Sequence, residues 1–129
     1  MTTEPRPALQ PLRSASERQG AKRELARRAM EYIQAHSTEK FSLEAIAGVL
    51  FVDRIYLSKC FKSVTGTTLL KYHNQVRCEA ASRLLTGSDL SMELIAVRVG
   101  FATPSHFARV FRSVYGCSPS SFRKTQGGE

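Results

Sequence analysis

A chain of 129 residues with 42% hydrophobic content is long enough for one domain, or for two very small ones sharing a core. Nineteen Lys plus Arg against eleven Asp plus Glu leave a net charge of +8, which favours a polyanionic partner, nucleic acid or an anionic membrane face. Cys60, Cys78 and Cys117 are odd in number and lack close-pair spacing, which argues against a disulfide framework or metal site; with no signal-peptide core or membrane-length apolar run, a cytoplasmic protein is expected.

Residues 1–18 hold three of the five prolines and no periodic apolar face, the pattern of a flexible arm. From about Gly20 to His36, Leu25, Ala29, Tyr32 and Ile33 recur at helical spacing with Arg23, Arg27, Arg28 and Glu31 opposite, which predicts an amphipathic first helix. The stretch SLEAIAGVL (42–50) then returns forty-nine positions later as SMELIAVRV (91–99). The echo resumes at an offset of fifty, where Phe61, Ser63, Val64 and Gly66 recur as Phe111, Ser113, Val114 and Gly116, so one structural unit is written twice.

Each copy opens with a Ser, Ser42 or Ser91, able to cap a short helix, and a Glu at its second position. The turns LFVD and VGFATP follow, after which Asp53 and Thr103 serve as new caps and Pro104 fits a first helical turn. In the second helix of each copy Leu57, Cys60, Phe61 and Val64, and Phe107, Val110, Phe111 and Val114, share one face and predict core. Gly66 and Gly116 sit where a left-handed cap is wanted. Between the copies a helix from Leu69 to about Leu85, about 25 Å long at 1.5 Å per residue, is expected as a rigid spacer ending before Gly87. The chain is thus expected to be all-α: an arm (1–18), a first helix-turn-helix (19–68), a linker helix (69–86), a second helix-turn-helix (87–124) and a tail (125–129). Where the second turn has Gly100, the first has Phe51, for which positive φ is strained; a differently shaped first turn is expected.

The faces left outward are Arg54, Ile55, Ser58, Lys59 and Lys62 in one copy and Pro104, Ser105, Ala108, Arg109 and Arg112 in the other. Small, polar and basic residues on a second helix suit the DNA major groove, where close approach and Arg or Lys contacts are both needed. After Glu93 no acidic residue appears until Glu129, which concentrates positive charge on the second copy. A helical bundle with solvated basic faces, or a basic protein-interaction or membrane-surface module, competes with this reading. No catalytic motif, metal site or cofactor motif is present, and the three His lie scattered at 36, 73 and 106.

The segment IAVRVGFATPSHFARVFRSVYGCSPSSFRK resembles the signature of the AraC family of bacterial transcription regulators, through Ile95, Ala96, Gly100, Phe101, Ser105, Phe107, Arg109, Phe111, Arg112, Gly116, Ser118, Pro119, Phe122 and Arg123. YHNQVRCEAASRLL resembles the family's linker helix, with Arg77, Ala81 and Leu84 at matching places, and the resemblance covers about Ala21 to Lys124. It implies seven helices, binding of double-stranded promoter DNA in two successive major grooves, recruitment of RNA polymerase, and work as a monomeric regulator, an activator, on the bacterial nucleoid. By length the chain is similar to the MarA and SoxS type, which consists of the DNA-binding domain alone; the alternative is the DNA-binding portion of a larger ligand-sensing regulator. The family's base-reading places fall on Ile55, Ser58 and Lys59 in the first copy and on Pro104, Ser105 and Arg109 in the second. Arg54, Lys62, Arg112, Arg123 and Lys124 are assigned to phosphates. For Lys59 a phosphate contact is the alternative, for Arg109 a phosphate contact or a surface ion pair, for Ile55 simple exposure at the core edge, and His106 is expected to pack or face solvent. The enzymatic rival, an alkylation-repair protein with a methyl-accepting Cys, is disfavoured because Cys60 and Cys117 read as structural.

Overall fold

The computed structural model describes residues 14–127 as α1 (Ala15–Ala35), α2 (Leu43–Leu50), α3 (Arg54–Thr65), α4 (Leu69–Gly87), α5 (Met92–Val99), α6 (Pro104–Tyr115) and α7 (Pro119–Phe122), with a π-helical turn at Arg123–Gly127. No strand occurs among the described residues, as the all-α reading expects. The first helix begins earlier than the sequence composition suggests. Ser14 Oγ accepts from the Glu17 N–H at 3.0 Å while the Glu17 carboxylate accepts from the Ser14 N–H at 3.2 Å, a capping box that starts α1 inside the expected arm. The rest of that arm, residues 1–13, and residues 128–129 of the expected tail lie outside the described residues. The tail's first residues are helical, with the Thr125 hydroxyl donating to the Ser121 carbonyl at 3.0 Å.

The two copies fold alike because the same caps recur. Ser42 and Ser91 accept from the N–H groups of Ala45 and Leu94, Asp53 accepts from Ile55 and Tyr56, and Thr103 accepts from His106. Loss of one such cap costs about 1 kcal/mol. Gly66 and Gly116 close α3 and α6 at φ 79 and φ 81, donating to the carbonyls of Lys62 and Arg112. The inward faces make two separate cores. One gathers Leu25, Ile33, Ile46, Leu50, Leu57, Cys60, Phe61 and Leu69; the other gathers Cys78, Ala81, Leu85, Ile95, Val99, Phe101, Phe107 and Phe111. Truncating a buried ring such as Phe61 or Phe111 to Ala would cost roughly 3–5 kcal/mol.

The first turn is not differently shaped. Phe51 takes φ 58, ψ 41, the left-handed region, as Gly100 does at φ 109, ψ 6. Both turns close with the same pair of bonds: Phe51 N–H to Gly48 and Val52 N–H to Ala47, against Gly100 N–H to Val97 and Phe101 N–H to Ala96. Phe51, 91% exposed, bears the strain of its positive φ, so the turn geometry is preserved at a local cost. Gly100 has no such latitude. A Cβ there would lie 2.9 Å from both Cα and O of Thr38, in the α1–α2 loop of the first unit.

The helix between the copies is more than a spacer. Its nineteen residues, about 28 Å at 1.5 Å each, run through Gly87 and are shared between the cores. Leu69, with Tyr72 and Val76 packed beside it, belongs to the first; Cys78, Ala81 and Leu85 belong to the second. One core hands over to the other at Arg77.

Candidate nucleic-acid interface

Helices α3 and α6 each turn a core stripe inward and leave the opposite face open. Arg54, Ile55, Lys59 and Lys62 on α3, and Pro104, Ser105, Arg109 and Arg112 on α6, are exposed; Ser58 and Ala108 are half-buried. Ile55 is 58% exposed. The structure therefore brings together, on equivalent faces, all six residues assigned to base reading. Ser58, Lys59 and Lys62 line one groove beside α3, and Ser63, Thr68 and Leu69 complete it. The outward face expected from the sequence includes neither Ser63 nor Thr68. Thr68 caps α4, its hydroxyl accepting from the Lys71 N–H, so its position is announced by the residue type that starts a helix.

Electrostatically the faces are uncommitted. Among the described residues, ion pairs join Arg27 to Glu24 and Glu31 and Arg54 to Glu44, and His36 Nδ1 lies 2.8 Å from the Glu39 carboxylate; Lys59, Lys62, Arg109 and Arg112 enter none of these contacts. Arg54 reaches back across the first turn to Glu44 at 3.0 Å, both side chains exposed, an attachment weak enough to exchange for a phosphate. Arg123 differs from the other cations assigned to phosphates. Its Nε donates to the Leu85 carbonyl at 2.8 Å and its Nη2 to the Ser88 carbonyl at 3.2 Å, so the half-buried guanidinium ties the end of α4 to the end of the fold. With those two donors so directed it serves as a strut within the second unit. Lys124 beside it is exposed. His106, at the flank of α6, packs the edge of its ring on Phe101 at 5.3 Å.

Behind these faces, Arg77 is buried at 7% exposure, its Nε donating to the Ser37 carbonyl and its Nη2 to the Glu39 carbonyl, each at 2.7 Å. Burial lowers the pKa of its guanidinium from the ordinary value. One turn earlier, His73 is buried with the edge of its ring against Phe41 and its Nε2 unpartnered; burial, and then the Arg77 charge, pull its pKa down to about 4. Burial pushes the neighbouring Cys78 thiol up to about 12. No group of His, Cys, Asp and Glu among the described residues could hold a metal ion, and no described helix is long and apolar enough to cross a membrane.

Residues 46–125 match a helix-turn-helix domain family. YisR of Bacillus subtilis, an HTH-type transcriptional regulator, is 36% identical over 104 residues, covering 81% of this chain. The chain spans only 36% of YisR's length. A transcriptional regulator of Chromobacterium violaceum with an AraC-type DNA-binding domain superposes with a TM-score of 0.75 at 27% identity, covering 84% of this chain and 99% of that one. The DNA-binding domain of the global transcriptional factor AdpA, solved in complex with a target DNA, superposes with a TM-score of 0.65 at 31% identity, covering 79% and 88% of the two chains. With two capped helix-turn-helix units, open basic faces on both second helices, and these likenesses, the chain belongs to the AraC family of helix-turn-helix, DNA-binding transcription regulators.

Proposed function

We propose that the protein sets α3 and α6 into two successive major grooves of one promoter duplex and, bound as a monomer on the nucleoid, activates transcription by engaging RNA polymerase. The observation that carries this reading is the equivalence of the two faces: Ile55, Ser58 and Lys59 stand on α3 where Ser105, Ala108 and Arg109 stand on α6, each set opposite a core stripe. Two equivalent units joined by one continuous helix favour one bipartite site over two independent ones. Ile55 suits a thymine methyl, Lys59 and Arg109 suit guanine edges, and Lys62, Arg112, Lys124 and Arg54 suit phosphates. The action is binding without covalent chemistry, and Cys60 and Cys78 stay inside the cores.

Selection of sites from a random duplex pool tests the reading directly. A motif with two separated half-sites is expected; an unstructured or single half-site motif refutes it. Arg109→Ala should cost about 1–3 kcal/mol and relax preference at particular base pairs, whereas Lys62→Ala should weaken all sequences alike. A uniform loss with an unchanged motif would reassign Arg109 to the phosphates. Incubation with methylated DNA should leave all three cysteines unalkylated.

A further inference from the structure

We propose that Arg77 is a positioning residue that fixes the angle and separation of the two recognition helices, and so the spacing of half-sites the protein accepts. This rests on the two-groove reading above. The two cores do not merge: the first ends on α4 at Val76 and the second begins at Cys78, so apolar packing alone leaves the angle between units to the helix that joins them. At that point the structure places a cation where the helix stripe Leu69, His73, Ala81, Leu85 is otherwise apolar or neutral. Its donors grip the Ser37 and Glu39 carbonyls of the first unit, and its guanidinium lies 5.1 Å from the centre of the Phe101 ring in the turn of the second. One side chain therefore touches both units at once.

The contact beside it is equally tight. Gly100 meets the backbone of Thr38 so closely that a Cβ would fall 2.9 Å from Thr38 Cα and 3.0 Å from Arg77 Nε. A buried guanidinium without a carboxylate is an expensive way to join two surfaces, and it stays favourable only through well-made hydrogen bonds. What a planar fork adds over an apolar side chain is direction: two fixed donors and a stacking face define a single orientation. The second unit holds an internal control. Arg123 grips the Leu85 and Ser88 carbonyls in the same manner, but within one unit, so it contributes to stability without setting the angle.

Two readouts test this. In the free protein, residual dipolar couplings measured by NMR should fit one alignment tensor across both units in the wild type and in Arg123→Met, and two different tensors in Arg77→Met. On DNA, the selected site is rebuilt with its half-sites moved one or two base pairs closer or further apart. Each base pair shifts one half-site by about 3.4 Å and about 35° of helical turn, so the rigid wild type should bind only the native spacing well. Linking two units should favour the full site over a half-site by about a hundredfold or more; Arg77→Met should lose about tenfold of that advantage and flatten the spacing profile, with half-site base preferences intact. An Arg77→Met protein with one tensor and a wild-type spacing profile overturns the proposal. If Arg77→Met does not fold, Gly100→Ala opens the same joint from the other side, and a single tensor there also overturns it. Unfolding of both variants would do so too, because the joint would then be part of basic stability. A wild type that binds half-site and full site equally refutes the two-groove reading instead, and the tensors then decide the joint by themselves.

Discussion

Mild acid should destabilise this protein through His73. The side chain is 3% exposed on α4, with Phe41 against its ring, the Arg77 cation one turn on, and His36, Glu39 and Lys40 around the small cavity it borders. Its pKa is held near about 4 in the folded chain against 6.5 when free, chiefly by burial. A base with a depressed folded pKa takes its proton first in the unfolded state. The stability it protects is therefore complete above about pH 6.5 and is lost as pH falls from there towards 4. From these two values, moving from about pH 7.5 to about pH 5 removes about 2 kcal/mol, which for a domain of this size lowers Tm by roughly 6–10 °C. Most carboxylates are still ionised at that end of the window, so they add little to the change. His73→Leu keeps much of the volume and removes both the titration and the unpartnered Nε2, so at about pH 7.5 it should lie within about 1 kcal/mol of wild type. Thermal melts followed by circular dichroism at three pH values would show the wild-type slope and its loss in the variant. Equal losses of Tm in both proteins between pH 7.5 and 5 would refute the assignment of the proton to His73.

DNA binding should be steeply salt-dependent: six to ten neutralised phosphates give a slope of log K against log salt of about −5 to −9, and an affinity flat across moderate salt would contradict a phosphate-anchored interface. Native-state alkylation read by mass spectrometry should modify Cys117, which is half-buried, and spare Cys60 and Cys78; a native Cys78 adduct would contradict the burial that pushes its thiol to about 12. Phe51→Gly should raise stability by about 0.5–1 kcal/mol by relieving the left-handed strain of a residue that buries almost nothing, and denaturant unfolding that shows a loss would mean the ring has a contact of its own.

Much of the fold is legible in the sequence because its signals are local. Ser42, Asp53, Ser91 and Thr103 cap the helices that their residue types announce, and Leu57–Phe61 and Phe107–Phe111 carry a helical period that has one physical solution. The same applies to the outward faces, which follow once the core stripe is fixed. The start of α1 was also written locally, in Ser14 and Glu17, but three prolines just upstream outweighed it. What is not local was not legible. Arg123 carries the charge of a phosphate ligand, and only the approach of two carbonyls thirty-five or more residues away turns it into a strut. The shape of the first turn could not be read from Phe51, because the strain of a positive φ is decided by whether the surrounding bonds outweigh it.

The joint lies between these cases. Leu69, His73, Arg77, Ala81 and Leu85 recur at intervals of four and are all buried, so the sequence does contain the anomaly of a His and an Arg on an otherwise apolar stripe. A helix read as a spacer gives no reason to ask which face is inward. Once the stripe is seen to serve two cores in turn, the position of the polar pair at the handover becomes informative: the first core needs the helix up to Val76, the second needs it from Cys78, and Arg77 stands between them. The difference between the two turns follows from the same geometry. Gly100 faces the loop of the preceding unit and has no room for a Cβ, while Phe51, in the unit that comes first, faces solvent. A tandem repeat thus loses its equivalence where one copy must receive the other. At that boundary the side chains are selected by the angle between the units and no longer by the fold of either one.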